Sequence, residues 1–355
     1  MNHAREDGER PPNLYFSHPA CLQHDPRVFS PGHPDTPERL VVLERALRER
    51  DWLGWTPTEA PRLDPGRLAL VHDASHVGAV RELCERGGGL IDPDTAVVEA
   101  SFEAALRAAG GACEMARALL AGEAGAGFCA MRPAGHHAEA ARAMGFCLFN
   151  NVAVAAAAAV AELGVERVLI LDWDVHAGNG TAEIFRERAD VLVACIHQSP
   201  LYPGTGPLHD AGSGAGEGFT LNMPVPPGSG EPLWLGLVEQ VVAPVAAEFA
   251  PELVLVSCGF DAHARDPLAS CRLETETFAG LARLARAVAI AAGAPIGALL
   301  EGGYDAEILA DCAAVTLPAL AGESDDAAAS PAAPAGTEAA IVEAVRAQAA
   351  RHWAV

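Results

Sequence analysis

Asp172-Trp173-Asp174-Val175-His176, at the end of the apolar run 167–171, puts two kinds of metal ligand within five residues. The run reads as a buried strand. The i, i+2 spacing of Asp174 and His176 predicts that both side chains leave the same side of a strand end. One carboxylate and one imidazole there suit a zinc-type ion, which needs a third protein ligand. Asp261 fits, because it follows a second strand-like run, 253–258. Two further apolar runs end in chemically able residues. The run 127–131 leads into Arg132-Pro133-Ala134-Gly135-His136-His137-Ala138, and 296–300 leads into Glu301-Gly302-Gly303-Tyr304. Adjacent histidines are costly to bury without partners. Asp-x-Asp-x-His alone could be an ordinary strand-to-loop turn; its companions point instead to a metal-dependent hydrolase.

These residues need a scaffold that brings four strand ends together. In a parallel α/β sheet, ligand sites form at the carboxyl edge. Helices are expected over 36–50, opened by Pro37, over 102–120, over 150–163 with Gly164 as its stop, and over 275–292 ending at Gly293. Strand, loop and helix thus alternate, as parallel β-α units do. No G-x-G-x-x-G follows a strand, so a generic dinucleotide fold is not favoured. We expect a disordered segment over 1–12, one catalytic domain over 13–321, a flexible Ala/Pro/Ser/Asp-rich linker over 322–336, and a terminal helix within 337–355 packed on the same domain.

Composition agrees with a soluble enzyme. The 355 residues, half of them hydrophobic, suffice for one large α/β domain. The longest uncharged apolar runs, 152–161 and 287–300, are too short to span a bilayer. The N-terminal MNHAREDGER is charged and has no secretory apolar region. Nine cysteines with no C-x-x-C pair argue for a reducing, cytoplasmic setting. The net charge of −23 argues against direct nucleic-acid binding; it would favour approach of a cationic substrate such as a basic peptide or polyamine, and equally describes a biased composition with a soluble acidic surface. All 24 basic residues are arginine, so regulation by acetylation of the chain's own lysines is excluded. The sequence leaves homo-oligomerisation open.

The segments RPAGHHA (132–138), GFCLFNN (145–151), LDWDVHAGNGT (171–181), YPGTG (202–206), CGFDAHARDPL (258–268) and EGGY (301–304), with an opening SHPACLQHDPRVFSPGHPDTPERL (17–40), occur in one order along the chain. Taken together they resemble the zinc-dependent histone deacetylase and acetylpolyamine amidohydrolase family, closest to its class II-like bacterial members. The resemblance covers roughly residues 14–310. It implies a three-layer α/β/α arginase/deacetylase-type fold with a mostly parallel central sheet. It also implies one zinc per chain held by Asp174, His176 and Asp261, and removal of an acetyl or other short acyl group from an acylated lysine-type amine.

The resemblance carries roles onto individual residues. His137 matches the general base and His136 its electrostatic partner, with Asp172 pairing with His136 and Asn179 with His137. Tyr304 matches the donor to the developing oxyanion. Phe146, Tyr202 and Leu268 match positions around the substrate tunnel, and Arg39 matches an arginine of an internal acetate channel. Asp92 or Asp94 matches the carboxylate at the rim. Asp172, with backbone at Asp174, His176, Cys195 and Ile196, matches a structural potassium site. There are departures. Cys195 replaces a serine, which puts one potassium ligand in doubt. Ala177 stands where a second histidine is usual, and Ala134 where proline is common.

Three other readings compete. Polyamine-selective relatives carry an acidic gatekeeper after the Asp-Pro of the third metal loop; Leu268, after Asp266-Pro267, tilts against an acetylpolyamine or other small-molecule deacetylase. An arginase-like ureohydrolase needs ligands for two manganese ions, and one metal's worth is present. A binding module that kept only the fold is disfavoured by the full set His136, His137, Asp174, His176, Asp261 and Tyr304.

Overall fold

The computed structural model describes residues 10–323 and 332–355. Most of the expected disordered segment (1–9) and of the expected linker (324–331) therefore lies outside the described residues. Of the remainder, Pro12 is tied in, its carbonyl accepting from the Gly125 N–H.

Ten strands occur among the described residues: β1 (Leu14–Ser17), β2 (Thr56–Glu59), β3 (Gly88–Leu90), β4 (Ala96–Val98), β5 (Gly127–Cys129), β6 (Val168–Asp172), β7 (Val191–Gln198), β8 (Thr220–Val225), β9 (Leu253–Cys258) and β10 (Ile296–Leu300). Eight form one sheet in the order β2-β1-β5-β10-β9-β6-β7-β8, every neighbouring pair parallel. β3 and β4 make a separate antiparallel ribbon. Every residue of β6, β7, β9 and β10 is buried. That is why these strands read as unbroken apolar runs: a parallel sheet covered by helices on both faces offers no solvent side. The edge strand β2, Thr-Pro-Thr-Glu, is mostly exposed, and its proline and glutamate discourage pairing with another chain.

Helix Ser101–Leu120 covers β1, β5 and β10 and packs on helix Asn151–Leu163, which lies against β6 and β9. Helices Glu38–Arg48, Thr275–Ala292 and Ala306–Ala321 pack together, with Thr275–Ala292 against β9. The helices are where the sequence predicts them, to within two residues, because their stops are explicit. Gly164 and Gly293 take the left-handed conformation at φ 76° and 69°. Asn150 opens its helix by accepting from the Ala153 N–H. Helix Thr337–Ala349 contacts the segment 231–242, and the Trp353 indole donates to the Gly218 carbonyl. All nine cysteines are free and buried.

Two histidines buried away from the strand ends make a stability prediction. Burial, reinforced by the Arg132 guanidinium, pushes His24 down to about 3 despite the Asp35 carboxylate. Burial and the neighbouring His76 push His72 down to about 4. Both folded values lie below the unfolded histidine value of about 6.5, so the unfolded chain binds more protons below that pH. Their contribution is complete above about pH 6.5 and lost as pH falls, by about 1.4 kcal/mol per pH unit for each. In His72→Gln the urea midpoint should therefore fall less between pH 7 and pH 5 than it does with His72 present; an identical pH dependence in the two proteins would show that His72 is not held neutral by the fold.

Candidate active site

The strand order explains the site. β5, β10, β9, β6 and β7 are contiguous. Their carboxyl ends and the segments that follow carry His136 and His137, Glu301 to Tyr304, Asp261, Asp172 to Asn179, and Tyr202, respectively. Residues up to 168 positions apart in sequence thus meet at one sheet edge.

Asp174, His176 and Asp261 are all buried, and each offers a ligand atom within 4.8 Å of the others. The local geometry differs from the strand alternation expected. β6 ends at Asp172, and Asp174 and His176 sit on a turn in which Asp174 Oδ1 accepts from the His176 N–H at 2.9 Å. The His176 Nδ1 lies 3.0 Å from Asp174 Oδ1 and 3.2 Å from Asp261 Oδ2. The outer oxygens are anchored: Gly302 N–H donates to Asp174 Oδ2 at 2.7 Å and Val175 N–H to Asp261 Oδ1 at 2.9 Å. A side chain on Gly302 would collide with both carboxylates, so only glycine lets the β10 loop close over them. Burial opposes the imidazolium of His176, but the two carboxylates carry it up to about 10. Burial and the Asp174 charge raise Asp261, whereas His136 and His176 hold Asp174 low against its burial. Two buried carboxylates converging with an imidazole concentrate negative charge at one point, and a divalent cation with N/O preference fits that donor set.

His136 and His137 stand beside this triad with ring centroids 4.0 Å apart. His136 Nδ1 meets Asp172 Oδ2 at 3.0 Å, and His137 Nδ1 meets Asn179 Oδ1 at 2.7 Å. The two rings are driven apart electrostatically. Burial disfavours charge on His136, yet Asp174 and Asp172 hold it well above the ordinary histidine value. Burial, then His136 and His176, push His137 well below it. Burial raises Asp172 to about 6 even with His136 beside it.

Tyr304 packs edge-on to Phe146 at 5.7 Å and over the Arg39 guanidinium at 4.8 Å. Burial raises its phenol well above the usual range against the pull of Arg39. Phe146 sits at φ 67°, unusual for a non-glycine residue, after Gly145 at φ 56°. The Tyr202 ring is perpendicular to His137 at 5.2 Å and is 36 % exposed. Leu268 is half-buried, and its N–H donates to Asp266 Oδ1 at 2.9 Å. Asp92 and Asp94 both raise Tyr202 after burial, so they lie on its side of the site. Asp92 Oδ1 is taken by the Asp94 and Thr95 N–H groups, whereas Asp94 accepts from the Thr95 hydroxyl. Cys195 and Asp172 are paired across β6 and β7, and the Cys195 sulfur lies 3.5 Å from His197 Nδ1. Ile196 is the next residue of β7.

Several supporting groups were given no role from sequence. Glu301 accepts from Gly135 N–H and Ser257 hydroxyl at 2.8 and 3.0 Å, tying the β5 loop and strand β9 to the β10 loop, and burial raises it to about 7. Asp266 accepts from the Tyr304 N–H at 2.7 Å. Asp35 bridges the buried Arg39 and Arg132, while Arg39 also donates to the carbonyls of Glu301 and Gly303. Glu139 accepts from Asn179 Nδ2. A charged residue inside a strand-exit loop was the available signal, but its partner was not readable.

Residues 33–320 match the histone deacetylase domain, and the chain belongs to that family. It is 38 % identical over 297 residues to the histone deacetylase-like amidohydrolase of Pseudomonas aeruginosa, covering 82 % of this chain and 77 % of that protein. It is 35 % identical over 335 residues to the polyamine deacetylase HDAC10 of Homo sapiens, covering 90 % of this chain and 49 % of that one. The crystal structure of the HDA15 HD domain superposes with a TM-score of 0.90 at 33 % identity, covering 97 % of this chain and 96 % of that one. The fold is therefore the arginase/deacetylase type, and the protein is an enzyme of the deacetylase and amidohydrolase class. Among the described residues no helix is long and apolar enough to cross a membrane.

Proposed function

We propose that this enzyme is a zinc-dependent amide hydrolase that removes an acetyl or other short acyl group from an acylated lysine-type amine. The observation that carries this reading is the buried Asp174–His176–Asp261 triad facing a histidine pair with opposed electrostatics. Those three residues would hold the metal, which when bound polarises the amide carbonyl and acidifies water. His137, with Nδ1 turned to Asn179, presents Nε2 as the base that takes a proton from the attacking water and returns it to the leaving nitrogen. His136, held charged by Asp172, offsets negative charge built up in the transition state. Tyr304 donates to the oxyanion. Phe146 and Tyr202 flank an apolar methylene chain, with Leu268 at the mouth and Asp92 or Asp94 at the rim. Arg39, whose Nε, Nη1 and Nη2 each donate once, to Asp35 and two carbonyls, keeps two N–H donors for the floor where acetate would leave. A structural potassium would use Asp172 with backbone at Asp174, His176, Cys195 and Ile196, without a serine hydroxyl. We place the enzyme in the cytoplasm.

An acetylpolyamine substrate is the second reading, favoured by the net charge of −23 and opposed by Leu268, which offers no carboxylate to a distal ammonium. Turnover of acetyl-lysine peptide against acetylspermidine by the zinc-loaded enzyme separates the two; faster turnover of the polyamine would reverse the assignment. A linear aryl hydroxamate, which chelates an open three-ligand metal, should inhibit at micromolar levels. Full activity at millimolar hydroxamate would argue strongly against such a metal.

A further inference from the structure

We infer that Glu139 is a positioning residue that sets the tautomer of His137 by fixing which way the Asn179 amide points. This rests on the reading of His137 as the base. An asparagine can offer either its oxygen or its nitrogen to an imidazole, and the two choices select opposite tautomers. Here Asn179 Nδ2 lies 2.8 Å from Glu139 Oε1. A carboxylate only accepts, so Nδ2 must face Glu139 and Oδ1 must face His137. Oδ1 in turn requires a proton on His137 Nδ1, 2.7 Å away, which leaves the Nε2 lone pair free.

Two other acceptors lie near Nδ2, the His137 carbonyl at 3.4 Å and the Met144 sulfur at 3.3 Å. The first is long and the second is a weak acceptor, so the charge-assisted bond to Glu139 dominates. The surroundings make that bond necessary. Ala177, Gly178, Asn179 and Glu139 line a cavity of about 180 Å³, also bordered by Glu183 and Arg186. Water there would donate or accept equally well, and without Glu139 the amide would lose its preferred orientation. Glu139 itself is held by the backbone: its N–H donates to the Arg142 carbonyl, and its carbonyl accepts from the Arg142 N–H. Its side chain is 29 % exposed, and its ion pair with the mostly exposed Arg142, at 3.5 Å, adds little.

The test is a sign reversal, made on the zinc-loaded full-length enzyme with an activated acyl-lysine substrate. Glu139→Gln can donate as well as accept, so the amide bias weakens; kcat should fall about tenfold with KM and metal content unchanged. In an Asn179→Asp background the residue at 179 accepts from His137 whatever its neighbour, and Glu139 becomes a repelling carboxylate at contact distance. There Glu139→Gln should raise kcat. Equal-direction effects in the two backgrounds would mean that Glu139 only supports its loop, and would overturn the inference. A second readout needs no turnover. Nitrogen-15 spectra of histidine-labelled protein should show His137 as the Nδ1–H tautomer in the parent and as a mixture in Glu139→Ala. A pure Nδ1–H form in Glu139→Ala would also overturn it. If His137→Ala keeps its activity, the base assignment fails, and the tautomer result still stands or falls alone.

Discussion

Asp174→Asn should release the metal and lower turnover on the order of 10⁴-fold or more, about 5 kcal/mol of lost transition-state stabilisation. The reason is local. Asp174 is fully buried, one oxygen faces His176 twice, and the other is held by Gly302 N–H. Asparagine has the same shape and its oxygen can keep one of these bonds, so the fold should persist while the ligand charge is lost. Two negative charges become one at the point proposed to hold a divalent ion, and the spare amide N–H groups find themselves beside His176. Metal content by atomic spectroscopy, thermal midpoint and turnover should be measured on one preparation. A variant that keeps a stoichiometric ion and near-parental turnover would remove Asp174 from the ligand set.

Tyr304→Phe should give the next largest effect and a different signature. Loss of one oxyanion donor costs about 10²–10³ in kcat, or roughly 3–4 kcal/mol. The ring should not move, because Arg39 and Phe146 hold its faces and Asp266 pins its backbone. Metal content and KM should therefore stay close to the parent, the pattern of an interaction made in the transition state. An unchanged kcat would leave His137 and the metal site to handle the oxyanion without the phenol.

Much of this was readable in the chain. The runs at 253–258 and 296–300 coincide with β9 and β10, because strands buried on both faces tolerate only apolar residues and end where polar ones begin. The candidate ligand types were visible because few other reasons put Asp, His and paired histidines immediately after such runs. The turn that joins Asp174 to His176 was not visible, since i, i+2 spacing fits a strand and a side-chain-capped turn equally well.

What the sequence by itself determined is the local inventory: which residues can ligate, accept or donate, and which strand end presents them. What only the tertiary structure decided is who faces whom. Strand order brought β10 between β5 and β9, so Glu301 could bind the His136 loop and Arg39 could slip beneath Tyr304. Glu139, Asp35 and Asp266 look in sequence like ordinary loop carboxylates. Their partners lie 40, 97 and 38 residues away, and they came within hydrogen-bond reach only when the loops closed over the sheet edge. The physical reason is range: apolar periodicity is a local property of the chain, whereas a buried polar group's partner is set by packing between elements that have no fixed spacing in sequence.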